Sequence, residues 1–199
     1  LGLTVMVHSG IVDAEAVALL KGAGVDAVLI DIIGSDETIK QVYNLNVTTK
    51  QYEASLASLS QAGIAFVPHV IAGLHHGKLL GEFDALQMIR RYKPAAVVVI
   101  SFMPIHGTAM EKTVPPTPVD IAKTAAVARA MFAEVPLVLG CMRPKGKHRA
   151  QTDVLALKAG VDGIAFPSQE AIAFAQSRGF AVGYSAFCCA QIYRDLASK

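Results

Sequence analysis

The chain repeats one unit, in which a strand that is apolar on both faces is followed by a helix. Strands of this kind are typical of a parallel sheet covered by helices. The predicted strands are Leu3 to Val7, Ala27 to Ile33, Ile64 to Ala72, Ala95 to Phe102, Pro136 to Cys141 and Gly163 to Phe166. The predicted helices are Asp13 to Ala23, Thr49 to Ala62, Phe83 to Tyr92, Pro118 to Phe132, Gln151 to Ala159 and Gln169 to Arg178.

Helix-end signals support this division. Three helices end in Ala-Gly followed by Val or Ile, at Gly24, Gly63 and Gly160, where glycine provides a left-handed cap before the next strand. Thr117 and Pro118 are typical of a helix start, and Thr48 to Gln51 predicts a capping box. The punctuation therefore indicates a weak internal repeat of a βα unit.

A βα repeat permits a barrel or an open doubly wound sheet, and no GxGxxG or GxxxxGK[ST] loop follows any strand. We therefore predict a parallel (βα) barrel of TIM type within a single domain over residues 1–199. A complete barrel needs eight strands and roughly 250 residues, so six units in 199 residues predict an incomplete one. We also predict a short strand at Phe180 to Tyr184 and a last helix in the tail.

Composition narrows the classes of partner. Charged residues make up 17% of the chain, the net charge is +2 and no basic run is present, so we expect no nucleic-acid partner. The apolar runs fall far short of the ~20 residues that span a bilayer. Three cysteines, two of them adjacent, favour a reducing cytoplasm over a disulfide framework. Because the chain opens inside an apolar run, we expect a missing N-terminal portion, and an exposed first strand that favours homo-oligomers.

Polar residues at the strand ends are the candidate site, because barrels place their chemistry there. No lysine lies in a predicted strand, which argues against a Schiff-base aldolase. His8, Asp31 and His69 follow three successive strands and offer metal ligands, although no HxH pair or HExxH helix accompanies them. We interpret His75 and His76 as a solvated loop. The other strand-end candidates are Ser9, Ser101, His106, Cys141 and Arg143.

Three segments resemble those of radical S-adenosylmethionine enzymes of the biotin synthase and lipoyl synthase type. Tyr43-Asn44-Leu45-Asn46 resembles a YNxN segment, which implies that Asn46 contacts S-adenosylmethionine; Thr48 stands where that family has Asp. Ile71-Ala72-Gly73-Leu74 resembles a strand that packs against adenine, with Ile71 and Gly73 as contacts. This segment departs from the family pattern at Val70 and His76. Pro104 to Thr108 is similar to the turn after the sixth barrel strand, and Gly140 to Arg143 to an arginine segment beside an auxiliary cluster.

The resemblance implies S-adenosylmethionine and an iron–sulfur cluster as cofactors, with Arg143 in catalysis. From their strand-end positions we also expect His8 and His69 to line the cofactor site and Asp31 to take part in catalysis. The resemblance also implies a small-molecule or lipoyl-type substrate. The family's CxxxCxxC loop, which holds the catalytic four-iron cluster, does not occur among the three cysteines. We therefore interpret the chain as the C-terminal portion of a radical enzyme that is inactive by itself.

Alternatives remain open. Cys141, Cys188 and Cys189 could hold an auxiliary cluster as a sulfur source, with Arg143 pointing into the same cavity, or they could be ordinary packing and tail residues. The parent protein could be a transferase that inserts sulfur into an unactivated C–H bond. It could instead be a non-catalytic barrel acting as a partner subunit or scaffold, or a metal-dependent lyase or hydrolase that uses His8, Asp31 and His69.

Overall fold

A computed structural model describes residues 2–197. Six parallel strands form one sheet in the order β1 to β6, and each strand pairs only with its neighbours in the chain. The strands are β1 (Met6–Ser9), β2 (Ala27–Asp31), β3 (Ala65–Ala72), β4 (Val97–Ser101), β5 (Leu137–Leu139) and β6 (Gly163–Ile164). β1 and β6 are the two edges of the described sheet, so the prediction of an incomplete parallel barrel is confirmed.

Helices cover the outer face of this sheet. They are α1 (Ala14–Gly22), α2 (Asp36–Thr38), α3 (Thr49–Ala62), α4 (Glu82–Ile89), α5 (Pro118–Met131), α6 (Lys147–Lys158) and α7 (Gln169–Ser177), whereas the last helix, α8 (Ile192–Ala197), packs on the inner face. The capping box of Thr48 and Gln51 is present, and Thr117 caps α5 with Pro118 in its first turn. Gly24, Gly63 and Gly160 have φ of +72°, +67° and +90°, as the repeated helix ends predicted.

The sheet is buried on both faces. Between the sheet and the helices lies the larger apolar cluster, which includes Ile30, Leu56 and Leu86. A smaller cluster covers the concave inner face with Leu29, Val67 and other strand residues. The strands read as apolar on both faces because each face has its own layer.

The C-terminal segment supplies part of that inner layer. Ala190, Ile192 and Tyr193, in the 3₁₀ turn Cys189–Gln191 and helix α8, pack against the inner face of the strands. Arg194 hydrogen-bonds to Thr4 and Asp26, which precede β1 and β2. This segment therefore runs along the concave face towards the amino ends of the strands.

Several boundaries differ from the sequence-based predictions. The predicted strand at Phe180–Tyr184 is wrong: the segment is irregular and exposed, and it does not pair with the edge strand β6. A π-helical turn, Ile39–Tyr43, lies inside the predicted loop before α3. The last helix of the tail is confirmed as α8. No helix among residues 2–197 combines the length and the apolar character needed to cross a bilayer.

Candidate functional site

Strand register brings three polar side chains to one place on the inner face. His69 of β3 lies directly opposite Asp31 of β2, and His8 of β1 lies opposite Leu29, two residues before Asp31. Residues two apart on a strand share a face. His8, Asp31 and His69 therefore point to the same side of the sheet near the carboxyl ends of their strands, and we call them the histidine rim.

The ligand atoms of the histidine rim lie within 4.8 Å of one another. Nε2 of His8 is 3.3 Å from Oδ1 of Asp31, and the imidazole rings of His8 and His69 are 5.1 Å apart at their centres. The side chains of His8 and Asp31 are 51% and 32% exposed, whereas His69 is buried. The rim is therefore open to solvent on one side and anchored in the sheet on the other.

Burial lowers the pKa of His69 to about 4, and the nearby Asp31 only partly opposes this effect. The His69 ring is therefore neutral at pH 7. Its Nδ1 lies 3.1 Å from the carbonyl oxygen of Val67, which can only accept a hydrogen bond. The proton consequently resides on Nδ1, and Nε2 retains a lone pair.

Two tyrosines, Tyr43 and Tyr52, lie near Asp31. Burial, followed by the charge of Asp31, raises the pKa of both Tyr43 and Tyr52, so both phenols stay protonated beside the carboxylate. Within residues 2–197, no lysine or arginine forms an ion pair with Asp31, and its salt-bridge partner is His8. The histidine rim thus holds a carboxylate without a permanent cationic partner.

Arg143 lies just beyond β5, in the half of the sheet formed by β5 and β6, and it is completely buried. Its Nε is 2.7 Å from Oδ1 of Asp153 on α6, and its two terminal nitrogens donate to the carbonyls of Gly140, Ala165 and Phe166. The prediction that Arg143 points into an open cavity is wrong, because this network holds the guanidinium away from solvent. The group ties the end of β5 to α6 and the β6–α7 connection.

The cysteines come together beside that network. The sulfur of Cys189 lies within interaction range of Cys141 and Cys188, and the backbone N–H of Cys141 approaches it. Burial, with a smaller contribution from the two neighbouring thiols, raises the pKa of Cys189 to about 11. The three sulfurs do not form a ligand group as tight as the histidine rim, the one such group among the described residues.

The residues matched to the nucleotide motifs are scattered. Asn46 is exposed, two residues after Asn44, which ends the π-helical turn with φ of +52°. Ile71 packs between the two apolar clusters. Gly73 is buried, and its N–H donates to Glu82 at 2.8 Å. The structure therefore leaves the Asn46 amide accessible and hides Gly73.

The other strand-end candidates have local partners. His75 is within hydrogen-bonding distance of Thr38, so it is packed rather than solvated, whereas its neighbour His76 is exposed. The hydroxyl of Ser101 donates to the next carbonyl, and the exposed His106 pairs with Glu111 at 3.2 Å. Ser9 is different, because its hydroxyl is buried without a partner among the described residues.

Sequence reasoning missed Tyr43 and Asp153 as partners of site residues. Tyr43 is part of the Tyr43–Asn46 segment, but the sequence did not indicate that it lies near Asp31. That position depends on the π-helical turn. Asp153 follows Arg143 by ten residues inside α6. An acidic residue directly before the apolar run Val154 to Leu157 was the available signal for a buried ion pair.

No protein-family model matches the chain. Over 174 residues it is 30% identical to a biotin synthase of Ruthia magnifica subsp. Calyptogena magnifica, an alignment that covers 85% of this chain and 52% of that protein. A biotin synthase of Coxiella burnetii is 28% identical over 140 residues, which cover 66% of this chain and 41% of that protein. The chain spans about half the length of the curated relatives it matches.

Solved structures agree on the fold. Methylornithine synthase (PylB) superposes with a TM-score of 0.66 at 15% identity, covering 100% of this chain and 62% of that one. The [FeFe]-hydrogenase maturase HydG superposes with a TM-score of 0.63 at 18% identity, covering 96% of this chain and 46% of that one. Together with the sequence relatives and the motifs, the open parallel sheet identifies the chain as a biotin synthase-like radical S-adenosylmethionine barrel.

Proposed function

We propose that this chain is the substrate-binding barrel wall of an enzyme that cleaves S-adenosylmethionine reductively and inserts sulfur into an unactivated C–H bond. The observation that carries the proposal is the 30% identity to a biotin synthase across 85% of the chain. The substrate is a small molecule or a lipoyl-type group. The three free cysteines support a cytoplasmic location for this chemistry.

The chain's own cysteines do not fit the catalytic four-iron cluster. Such clusters are held by cysteine thiolates, and here Cys188 and Cys189 are adjacent while Cys141 lies far from them in sequence. Cys189 is a thiol at neutral pH, because burial raises its pKa to about 11. These three cysteines therefore do not supply the ligands of that cluster.

What this chain contributes is the rim at the carboxyl ends of its strands. Leu29, Val67 and Val98 are packed under Ala190 and Ile192 of the C-terminal segment, and the histidine rim is the part of the inner face that is open to solvent. An apolar wall with a few convergent polar groups is the usual form of a small-molecule site. Such a wall orients a substrate and keeps water away from a reactive radical.

The residues proposed to bind S-adenosylmethionine differ in what they can do. Asn46 presents an exposed amide that makes no hydrogen bond within residues 2–197, so it is free to donate to and accept from a ligand. Ile71 offers an apolar side chain at the edge of the inner cluster. Gly73 is covered by Pro116, so its contribution is to backbone shape.

Two assays test the proposal. The chain alone, reconstituted anaerobically with iron and sulfide, should produce no 5′-deoxyadenosine from S-adenosylmethionine. Product formation would show that its three cysteines can hold a catalytic cluster after all. The full-length gene product should produce it and bind S-adenosylmethionine. Asn46→Ala should weaken that binding by about 1 to 3 kcal/mol, while Gln41→Ala, an exposed amide in the same connection, should leave it unchanged. A full-length protein that neither binds nor cleaves S-adenosylmethionine would disprove the function.

A further inference from the structure

We propose that the histidine rim, His8, Asp31 and His69, binds one divalent first-row transition-metal ion through two imidazoles and one carboxylate. The inference does not depend on the radical chemistry, because it uses only side chains of this chain. Two histidines with one carboxylate, leaving open positions, is a donor set that suits Zn²⁺, Fe²⁺ and Co²⁺.

The three ligand atoms of the histidine rim lie close together. The three ligand atoms come from three adjacent strands and lie within 4.8 Å of one another. Bonds of about 2.0 to 2.2 Å to a common ion would bring such atoms to roughly 3 to 3.5 Å apart. His8 and Asp31 are already 3.3 Å apart, so only a small side-chain adjustment is required.

The ring of His69 is oriented by a hydrogen bond to its own strand. Metal-binding histidines usually donate their second ring N–H to a carbonyl or carboxylate, which fixes the tautomer and the ring plane. His69 has this arrangement, since Val67 accepts the Nδ1 proton at 3.1 Å. Its Nε2 lone pair is thus oriented by the strand that carries it, before any ion arrives.

The carboxylate of Asp31 and the exposure of His8 favour the binding of a cation from solvent. Asp31 has no lysine or arginine partner among the ion pairs of residues 2–197. His8 is half exposed, so an ion can reach the rim from solvent and keep water or a substrate atom in its remaining positions. A cation there neutralises the carboxylate and replaces the proton between His8 and Asp31.

The test is a Co²⁺ titration of the untagged chain at pH 7.5, followed by visible absorption, together with metal analysis after dialysis against Zn²⁺. We expect one ion per chain. His8→Ala and Asp31→Asn should each weaken binding by more than about 100-fold, because even residues outside the coordination sphere typically account for 10- to 100-fold. His106→Ala is the matched control, since His106 and Glu111 form a similar pair at 3.2 Å without a third ligand, and it should bind normally.

Three outcomes would overturn the proposal. One is an unaltered protein without saturable Co²⁺ binding at micromolar concentrations. Another is binding that survives in both His8→Ala and Asp31→Asn. A third is binding that is lost after alkylation of Cys141, Cys188 and Cys189, with a thiolate charge-transfer band in the near ultraviolet, because this would assign the ion to the cysteines. Thermal melts of the metal-free variants verify that each is folded.

Discussion

The two halves of the sheet, β1 to β3 on one side and β5 with β6 on the other, hold their charged groups in opposite ways. At the carboxyl end of β5, Arg143 uses Nε and both terminal nitrogens on protein partners and is fully buried. At the histidine rim, three ligand atoms converge while His8 remains half exposed. Buried polar groups that are satisfied by the protein hold structure together. Convergent groups that remain open to solvent are available to a ligand.

The difference also shows why a strand-end position is weak evidence by itself. Arg143 and His69 both lie where a barrel enzyme would carry chemistry, yet one has its hydrogen bonds completed by α6 and the β6–α7 connection. The other retains a ring nitrogen with a free lone pair. The hydrogen-bond partners of a residue, rather than its position at a strand end, distinguish a structural role from a ligand-binding role. Substitutions around Arg143 should therefore change stability, and substitutions in the histidine rim should change ligand binding.

The largest effect on stability is expected from breaking the Arg143–Asp153 pair. Asp153→Ala leaves a buried guanidinium without its carboxylate and should lower the free energy of unfolding by about 3 to 5 kcal/mol. Glu53→Ala, which removes an exposed pair with Arg91, should cost less than about 1 kcal/mol. Urea denaturation measures both. A loss below about 1 kcal/mol for Asp153→Ala would mean that Arg143 is free to serve a substrate, which would erase the contrast between the two sides.

The second prediction concerns the thiols beside Arg143. Because the pKa of Cys189 is raised from 9.0 to about 11, its thiolate fraction at pH 8 is up to about 100-fold smaller than that of a thiol with an unshifted pKa. Iodoacetamide should therefore modify Cys189 up to about 100-fold more slowly in the folded protein than in guanidinium, and the rate should rise as the pH approaches 11. Mass spectrometry of the Cys188→Ser variant reports this rate. Equal rates in both states would show that Cys189 is not covered by the inner face.

Much of the fold follows from the sequence because local patterns encode it. The apolar runs predict all six strands, and Gly63 and Thr48 mark helix ends by their own backbone and side-chain chemistry. The strand predicted at Phe180–Tyr184 fails because an apolar segment does not by itself specify pairing, and this one leaves the edge strand β6 without a second neighbour. A strand forms only where it makes hydrogen bonds with a neighbouring strand.

The site is less predictable, since it depends on contacts between segments that are distant in the chain. His8, Asp31 and His69 could be proposed as ligands from their strands, but their convergence required the register that pairs Asp31 with His69. Arg143 was proposed as a site residue from its strand-end position and from the family resemblance, and its partner Asp153 could not be identified by spacing alone.

The third prediction, with a smaller expected effect, concerns the backbone directly after β3, where Gly73 lies. Gly73 has φ of +74°, and an added Cβ would lie 2.4 Å from Cγ of Pro116. Gly73→Ala should lower the free energy of unfolding by about 2 kcal/mol through strain and crowding. Gly107→Ala has a similar φ of +80° but open space, so it should cost about 1 kcal/mol. Equal losses would mean that crowding against Pro116 contributes nothing, and that only backbone conformation matters at Gly73.

The smallest effect on stability is expected at the histidine rim itself. His8 and Asp31 are 51% and 32% exposed, and exposed ion pairs contribute about 0 to 1 kcal/mol. His8→Ala in the presence of a chelator should therefore change the free energy of unfolding by less than about 1 kcal/mol, as should His106→Ala. Thermal and urea denaturation of the metal-free proteins measure this change. A loss approaching that of Asp153→Ala would show that the His8 side chain is needed for the fold. The contrast between a structural arginine and an available histidine rim would then be wrong.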